Sequence, residues 1–194
     1  LDLGRASEAR AQLEAGLAAD PLSDSLLGKL ADCDFADGLR ERALEAKQAA
    51  TVANPESANA WYGLGRMLSL LHRHDEALAA LRKALALSDD DPGILGAYAH
   101  ALSRAGRRDE ARRVLDRMVA EGAARPVLPY DLAVAAAGLG DHDRALAWLA
   151  QAVDARYVGA RFMARDASFV GLRDDARFRE LVQRVGLTLP DARE

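Results

Sequence analysis

His72, His74 and Asp75 stand within one short stretch and come nearest to a metal-ligand set in this sequence. A protein-held zinc ion needs three or four converging ligands. Leu71-His72-Arg73-His74-Asp75 breaks a helical pattern, however, and reads as a polar turn. His142 recurs at the phase of His74, which fits a turn preference, so no metal site is expected. Cys33 is the only cysteine, which excludes an internal disulfide. It shares its phase with Met67, Ala101 and Ala135, and so reads as a small buried thiol rather than a nucleophile. Arg107, Arg108, Arg112, Arg113 and Arg117 form a basic cluster, but Asp109, Glu110 and Asp116 are interspersed, as on a solvated helix face. The sequence holds no Gly-rich phosphate loop, no His-Glu-x-x-His and no nucleophile elbow. Neither catalytic activity nor a cofactor is expected.

The elements that carry these residues are set by a period. Ala9, Ala43, Ala77, Ala111 and Ala145 follow one another at a constant step of 34 residues. Leu13, Leu81, Leu115 and Leu149 keep the same step, interrupted by Lys47. Gly4, Gly38, Gly106 and Gly140 do so as well, with His72 standing in once. A fixed period of this length marks stacked supersecondary units, each burying its apolar face on its neighbours. In the unit from Ala58 to Asp91, Trp61, Leu64, Gly65 and Leu68 recur at helical spacing, and Ser57 is the candidate N-cap. A second helix carries Ala77, Leu78, Leu81 and Leu85 and ends near Ser88. Half of the residues are apolar and 5% are aromatic, so alanine does much of the filling.

The charge is balanced at −4, with 26 basic and 30 acidic residues interspersed. No basic stripe argues for nucleic acid. No run approaches the roughly 20 apolar residues of a membrane span, and no signal-peptide pattern opens the sequence. A single cysteine fits a cytoplasmic setting, although a cysteine-poor periplasmic protein would read the same way. Leu1 falls mid-helix in the repeat's phase, so the sequence is expected to belong to a longer protein.

Trp61-x-x-Leu64-Gly65-x-x-Leu68, then Ala77-x-x-x-Leu81 and Ala84, resembles a tetratricopeptide repeat. Tyr98-Ala99, Leu102, Ala111, Leu115 and Met118 make the next unit, and Leu132-Ala133, Ala136, Ala145, Leu149 and Ala152 the one after. Leu27, Leu30-Ala31, Ala43, Ala50 and Asn54-Pro55 make a weaker unit before them. The resemblance implies an all-α, right-handed superhelical solenoid of helix–turn–helix repeats over residues 1–156. Its parts are a half repeat over 1–22 and repeats over about 24–57, 58–91, 92–125 and 126–156. Residues 157–194 leave the period and read as a C-terminal helical cap. Asp166-Ala167-Ser168-Phe169, Leu172-Arg173 and Asp175-Ala176-Arg177-Phe178 resemble the tail after such repeats in bacterial regulators and cyclases, with alanine in place of two prolines.

The family uses the face of its first helices for partners. Carried over, its groove positions are Ser25, Gly28, Asp32, Phe35 and Ala36 in the weak unit. In the later units they are Asn59, Tyr62, Arg66, Ser69 and Leu70; Gly93, Gly96, His100, Ser103 and Arg104; and Val127, Tyr130, Val134, Ala137 and Gly138. The chaperone-binding pattern of lysine and asparagine at the fifth and ninth positions is missing. The expected peptide groove is therefore Asn59, Tyr62, Arg66, Ser69, His100, Ser103, Arg104 and Tyr130. Arg66, His100 and Arg104 would hold a carboxylate or acidic peptide, and Tyr62 and Tyr130 would form flat walls. The leading expectation is a scaffold or adaptor for a protein or peptide partner. The alternatives are a regulatory segment of a bacterial transcriptional regulator, kinase or cyclase, and the non-catalytic part of a glycosyl- or sulfotransferase. The sequence leaves the partner's identity and the oligomeric state open.

Three structural expectations accompany this reading. Helices should break near Gly38, His72, Gly106 and Gly140, and near Asp20-Pro21, Asn54-Pro55, Asp91-Pro92 and Arg125-Pro126, with no β-sheet. Asp34 and Lys47 replace the apolar pairs Leu68/Leu81 and Leu102/Leu115. A salt bridge between them is expected, since one charge buried alone is costly; the competing arrangement turns Phe35 inward and Asp34 to water. Phe169, Phe178 and Leu181 should cover Leu146, Leu149 and Val153.

Overall fold

The computed structural model describes residues 3–122 and 126–189, with side chains from residue 8 onward. Ten α-helices appear among the described residues, and no strand. They are α1 (Leu3–Ala19), α2 (Asp24–Ala36), α3 (Arg40–Ala53), α4 (Ala58–Leu70), α5 (His74–Leu87), α6 (Pro92–Arg104), α7 (Arg108–Glu121), α8 (Pro129–Gly138), α9 (His142–Asp154) and α10 (Ala176–Arg184). Short 3₁₀ turns at Val158–Phe162 and Ala167–Leu172 precede α10. The described breaks fall at the expected glycine, histidine and proline positions; Arg125 lies outside the described residues.

The glycine column has one physical cause. Gly38, His72, Gly106 and Gly140 all sit at positive φ, between 60° and 80°. Each first helix ends in the same way. Gly38 N–H donates to Phe35 O at 3.0 Å, and Leu39 N–H to Asp34 O at 2.8 Å. The equivalent pairs follow His72, Gly106 and Gly140. This double bond satisfies carbonyls that a helix end leaves open, and it requires a left-handed residue. Histidine tolerates that conformation better than a β-branched residue would. The next helix starts at once and runs back along the first.

The chain forms two compact units, residues 1–90 and 91–194. In the first unit, α2 pairs with α3 and α4 with α5, α3 packs on α4, and α1 packs on α2. The α4–α5 crossing depends on Gly65: a Cβ there would stand 2.6 Å from Leu81 Cγ and 3.2 Å from Ala77 O. Ser57 caps α4 by accepting from Ala60 N–H at 3.2 Å, and Trp61 Nε1 donates to Pro55 O at 2.8 Å. In the second unit, α6 pairs with α7 and α8 with α9. The tail packs back on this unit, with α10 and the first 3₁₀ turn against α9 and the second against α8. Phe169, Phe178 and Leu181 are buried, as are Leu146, Leu149 and Val153. Asp166 and Asp175 each accept a backbone N–H two residues on, and each precedes by three a fully buried phenylalanine. Arg177 reaches Asp143 at 2.9 Å, and Arg184 pairs with Asp154, fastening the tail to α9.

The charged pair of the weak unit is buried, but not as a pair. Asp34 is 2% exposed and Lys47 8% exposed. Asp34 accepts from Arg10 Nη1 at 2.7 Å, with Arg42 at 3.7 Å. Lys47 instead donates to Gly28 O at 2.8 Å and meets Asp32 at 2.7 Å. The expected Asp34–Lys47 bridge is therefore replaced by two separate bridges, because α1 supplies an arginine and α2 a second carboxylate. Phe35 is half-buried and packs on the Ala31, Ala43 and Met67 cluster, so Asp34 is not traded for it.

Arg10→Ala should destabilise the first unit by about 2 kcal/mol, because it leaves a buried carboxylate with only the distant Arg42. Adding Asp34→Leu, the residue type of Leu68 and Leu102, should restore the loss. Chemical denaturation of the single and double variants measures both effects; an undiminished midpoint in Arg10→Ala would show that Asp34 is held by something else.

Candidate functional site

The two units present their first helices differently. In the second unit, α6 and α8 touch through their backbones. A Cβ on Gly96 would lie 2.6 Å from Asp131 O, and one on Gly138 would lie 2.7 Å from His100 Cα. Small residues at both crossings let the helices close on each other and leave little room between them. In the first unit, α2 and α4 stand further apart, and Lys47 rises between them from α3. Cβ atoms on Gly28 and Gly63 would meet only the Lys47 side chain, at 3.8 and 3.4 Å. The result is a pocket of about 270 Å³ with Lys47 at its floor. Ser25, Gly28 and Asp32 line it from α2, and Asn59 and Gly63 from α4.

The sequence-derived groove residues divide accordingly. Asn59 lines this pocket. Tyr62 and Arg66 are half-buried on α4, with the guanidinium carbon 5.7 Å from the ring centroid, and Ser69 lies further along the same helix. His100 is half-buried against Gly138, and Arg104 is exposed. Ser103 Oγ is buried with no hydrogen-bond partner among the described residues, so it is not offered to a ligand. Arg66 belongs to the first unit and His100 and Arg104 to the second.

Tyr130 does not form a groove wall. It is 8% exposed, donates from its hydroxyl to Asp166 Oδ2 at 3.0 Å, and meets Phe169 edge to face at 5.4 Å. Tyr157 packs on it from the tail at 5.8 Å. The tail thus claims this ring, which residue spacing within the repeats did not reveal.

Two structural features escaped the groove reading. Lys47 lies on a second helix, outside the family's first-helix positions, yet its ammonium reaches their face because two glycines admit it. Its signal in the sequence was the broken leucine column. The other is Asp131, on α8 beside Gly93 and Gly96. Burial first, and the nearby Asp91 carboxylate second, push its pKa up to about 6.

The remaining candidates are accounted for locally. His72 and His74 meet edge to face at 5.9 Å, and among the described residues no three His, Cys, Asp or Glu side chains converge on one point. In the basic cluster, Arg107 grips Glu110 and Arg117 approaches Glu121 at 3.7 Å. Arg108 donates to Leu139 O. Among the described residues no helix is long and apolar enough to cross a membrane.

With the paired helices, the left-handed turns and the first-helix face in place, the comparisons agree with the architecture. Tetratricopeptide repeat models match residues 29–92, 68–127 and 129–151. The chain belongs to the tetratricopeptide repeat family, and its fold is the all-α helix-pair solenoid of that family. No curated protein matches it. Among solved structures it is similar to TTC0263, a thermophilic tetratricopeptide repeat protein of Thermus thermophilus. The identity is 24%, over 81% of this chain and 91% of that one, with a TM-score of 0.62. It is similar to MamA at 23% identity, over 81% and 92% of the two chains, with a TM-score of 0.54. It is also similar to YrrB, described as a protein with an unusual peptide-binding site, at 17% identity over 89% and 90%, with a TM-score of 0.50. At these identities the likeness concerns the fold.

Two predictions test this geometry. Gly138→Ala should cost about 2 kcal/mol through backbone crowding. Gly28→Ala, whose Cβ would meet only Lys47 Nζ at 3.8 Å, should be neutral or gain up to about 1 kcal/mol of helix propensity. Equal effects in thermal melts would contradict the contrast between the two helix pairs. Asp131, with its raised pKa, contributes stability that is present below about pH 4 and lost as pH rises through about 6. Wild type should therefore lose about 2 kcal/mol relative to Asp131→Asn between pH 4.5 and 7.5. Parallel stability–pH curves for the two proteins would remove the assignment.

Proposed function

We propose that this chain is a non-catalytic interaction module that holds an extended peptide or a helix of a partner protein on the first-helix face of its first unit. The observation that carries the reading is the opening between α2 and α4. It is walled by Ser25, Asp32 and Asn59 and floored by a lysine, while the corresponding helices of the second unit lie directly against each other. A pocket with polar groups on two adjacent helices can fix the orientation of a bound segment. Membership of a repeat family built for such contacts supports it, and so does the peptide-binding site ascribed to YrrB. The single half-buried thiol fits a cytoplasmic setting.

A second reading is a regulatory segment of a larger bacterial regulator. The tail favours it: Asp166/Phe169 and Asp175/Phe178 form two successive capped, phenylalanine-anchored turns that resemble the tail of such proteins. In that case the pocket would take a segment of the same polypeptide or its assembly.

The full chain on an array of random 12-residue peptides provides the test. Ser25→Tyr/Asn59→Tyr, which fills the opening from two of its lining positions, should weaken captured peptides at least tenfold, about 1.4 kcal/mol. His100→Ala/Arg104→Ala should leave them nearly unchanged. Full retention of every peptide by the tyrosine variant would place binding elsewhere.

A further inference from the structure

Lys47 is an anomaly that the fold does not need. The same column holds Leu81, Leu115 and Leu149, all buried. A lysine there gives up apolar burial and must be compensated by polar partners. It finds two, Gly28 O and Asp32 Oδ1. Of these two partners only the Gly28 carbonyl is fixed by the backbone, while Asp32 reaches the ammonium, one of whose three protons it takes, from the side of the opening. Cβ atoms at Gly28 and Gly63 would stand 3.8 and 3.4 Å from Lys47 Nζ, so glycine at both positions leaves the space beside the ammonium open.

The charges around the opening differ in how firmly they are held. Lys47 is fixed at the floor by its burial and by the Gly28 carbonyl. Lys29 lies at the exposed rim. Asp24 is occupied by Asn54 Nδ2 at 3.4 Å. Asp32 stands on the rim with its side chain 68% exposed, so it can turn to water at little cost. The fixed group is therefore positive, and the movable group is a carboxylate that already sits where an incoming carboxylate would bind.

We propose that the opening between α2 and α4 is the receptor for an acidic side chain of the bound peptide. Lys47 receives the carboxylate, and Asp32 is an internal competitor that the ligand displaces. The inference rests on the peptide-binding reading above and names the chemistry of that site. A volume of about 270 Å³ accommodates a Glu or Asp side chain with a few waters. Charge-assisted hydrogen bonds to a largely desolvated ammonium are stronger than neutral ones, so an amide of the same shape is discriminated against.

The test uses the full chain, isotope-labelled for NMR, with acetyl-Gly-Glu-Gly-amide and acetyl-Gly-Gln-Gly-amide as probes. The glutamate probe should shift the amide signals of Gly28, Asn59 and Gly63 saturably, and the glutamine probe at least tenfold more weakly. Asp32→Asn should tighten the glutamate probe severalfold by removing the competitor. Lys47→Met, close in character to the leucines of the other units, should abolish the response while keeping the helical melt. Equal response to both probes, retention in Lys47→Met, or weaker binding in Asp32→Asn would each overturn the proposal. Since Asp32 is exposed, its variant reports even if Lys47→Met were to unfold. Array peptides captured through the tyrosine-sensitive opening without any need for Asp or Glu would keep the module and discard this role for Lys47. An array that captures nothing, together with silent probes, would discard both.

Discussion

The left-handed turn after each first helix is the constraint from which the rest of the structure follows. Two backbone hydrogen bonds across Gly38, His72, Gly106 or Gly140 end one helix and reverse the chain within about three residues. That reversal leaves no slack, so the paired helices must cross at a short, fixed distance. The crossing then demands small residues such as Gly65, opposite Ala77 and Leu81, and returns buried alanine and leucine area along the whole pair. Leucine, glycine and alanine columns are thus consequences of one backbone conformation repeated at a fixed interval.

Within that scheme the first unit carries a local departure. Asp34 and Lys47 put two charges into a layer that is apolar elsewhere, and each is neutralised by a different neighbour. Charge burial of this kind seldom adds net stability, whereas removing one partner is costly. Arg10 therefore ties α1 to α2 through a buried carboxylate, whereas the largely exposed Asp32 meets Lys47 only at the rim. The layer also keeps α2 and α4 apart, because a lysine side chain stands where two glycine-faced helices would otherwise approach.

Much of this was legible in the residues. The period located the turns and the helix pairs, Ser57 announced its cap, and the interrupted leucine column pointed to Lys47. The burial of Asp34 and Lys47 followed from their phase, but their partners did not: Arg10 lies in α1, outside any complete repeat, so no column relates it to Asp34. Tyr130 was misplaced for a similar reason. Its phase put it on the first-helix face, yet Asp166 and Phe169 from the aperiodic tail hold it inside. The closeness of α6 and α8 was hidden as well, since Gly96 and Gly138 declare a contact only once the two helices are set side by side. Periodicity informs about neighbours one repeat away and is silent about everything that leaves the repeat.

The glycine contacts between α6 and α8 have a mechanical consequence. Backbone pressed on backbone resists compression and shear, since no rotamer can yield. The lysine-bridged pair α2 and α4 is joined by long, rotatable bonds that can lengthen or swing. Of these two contacts, α2 against α4 is the compliant one and α6 against α8 the stiff one, so strain would collect beside Lys47 sooner than beside His100.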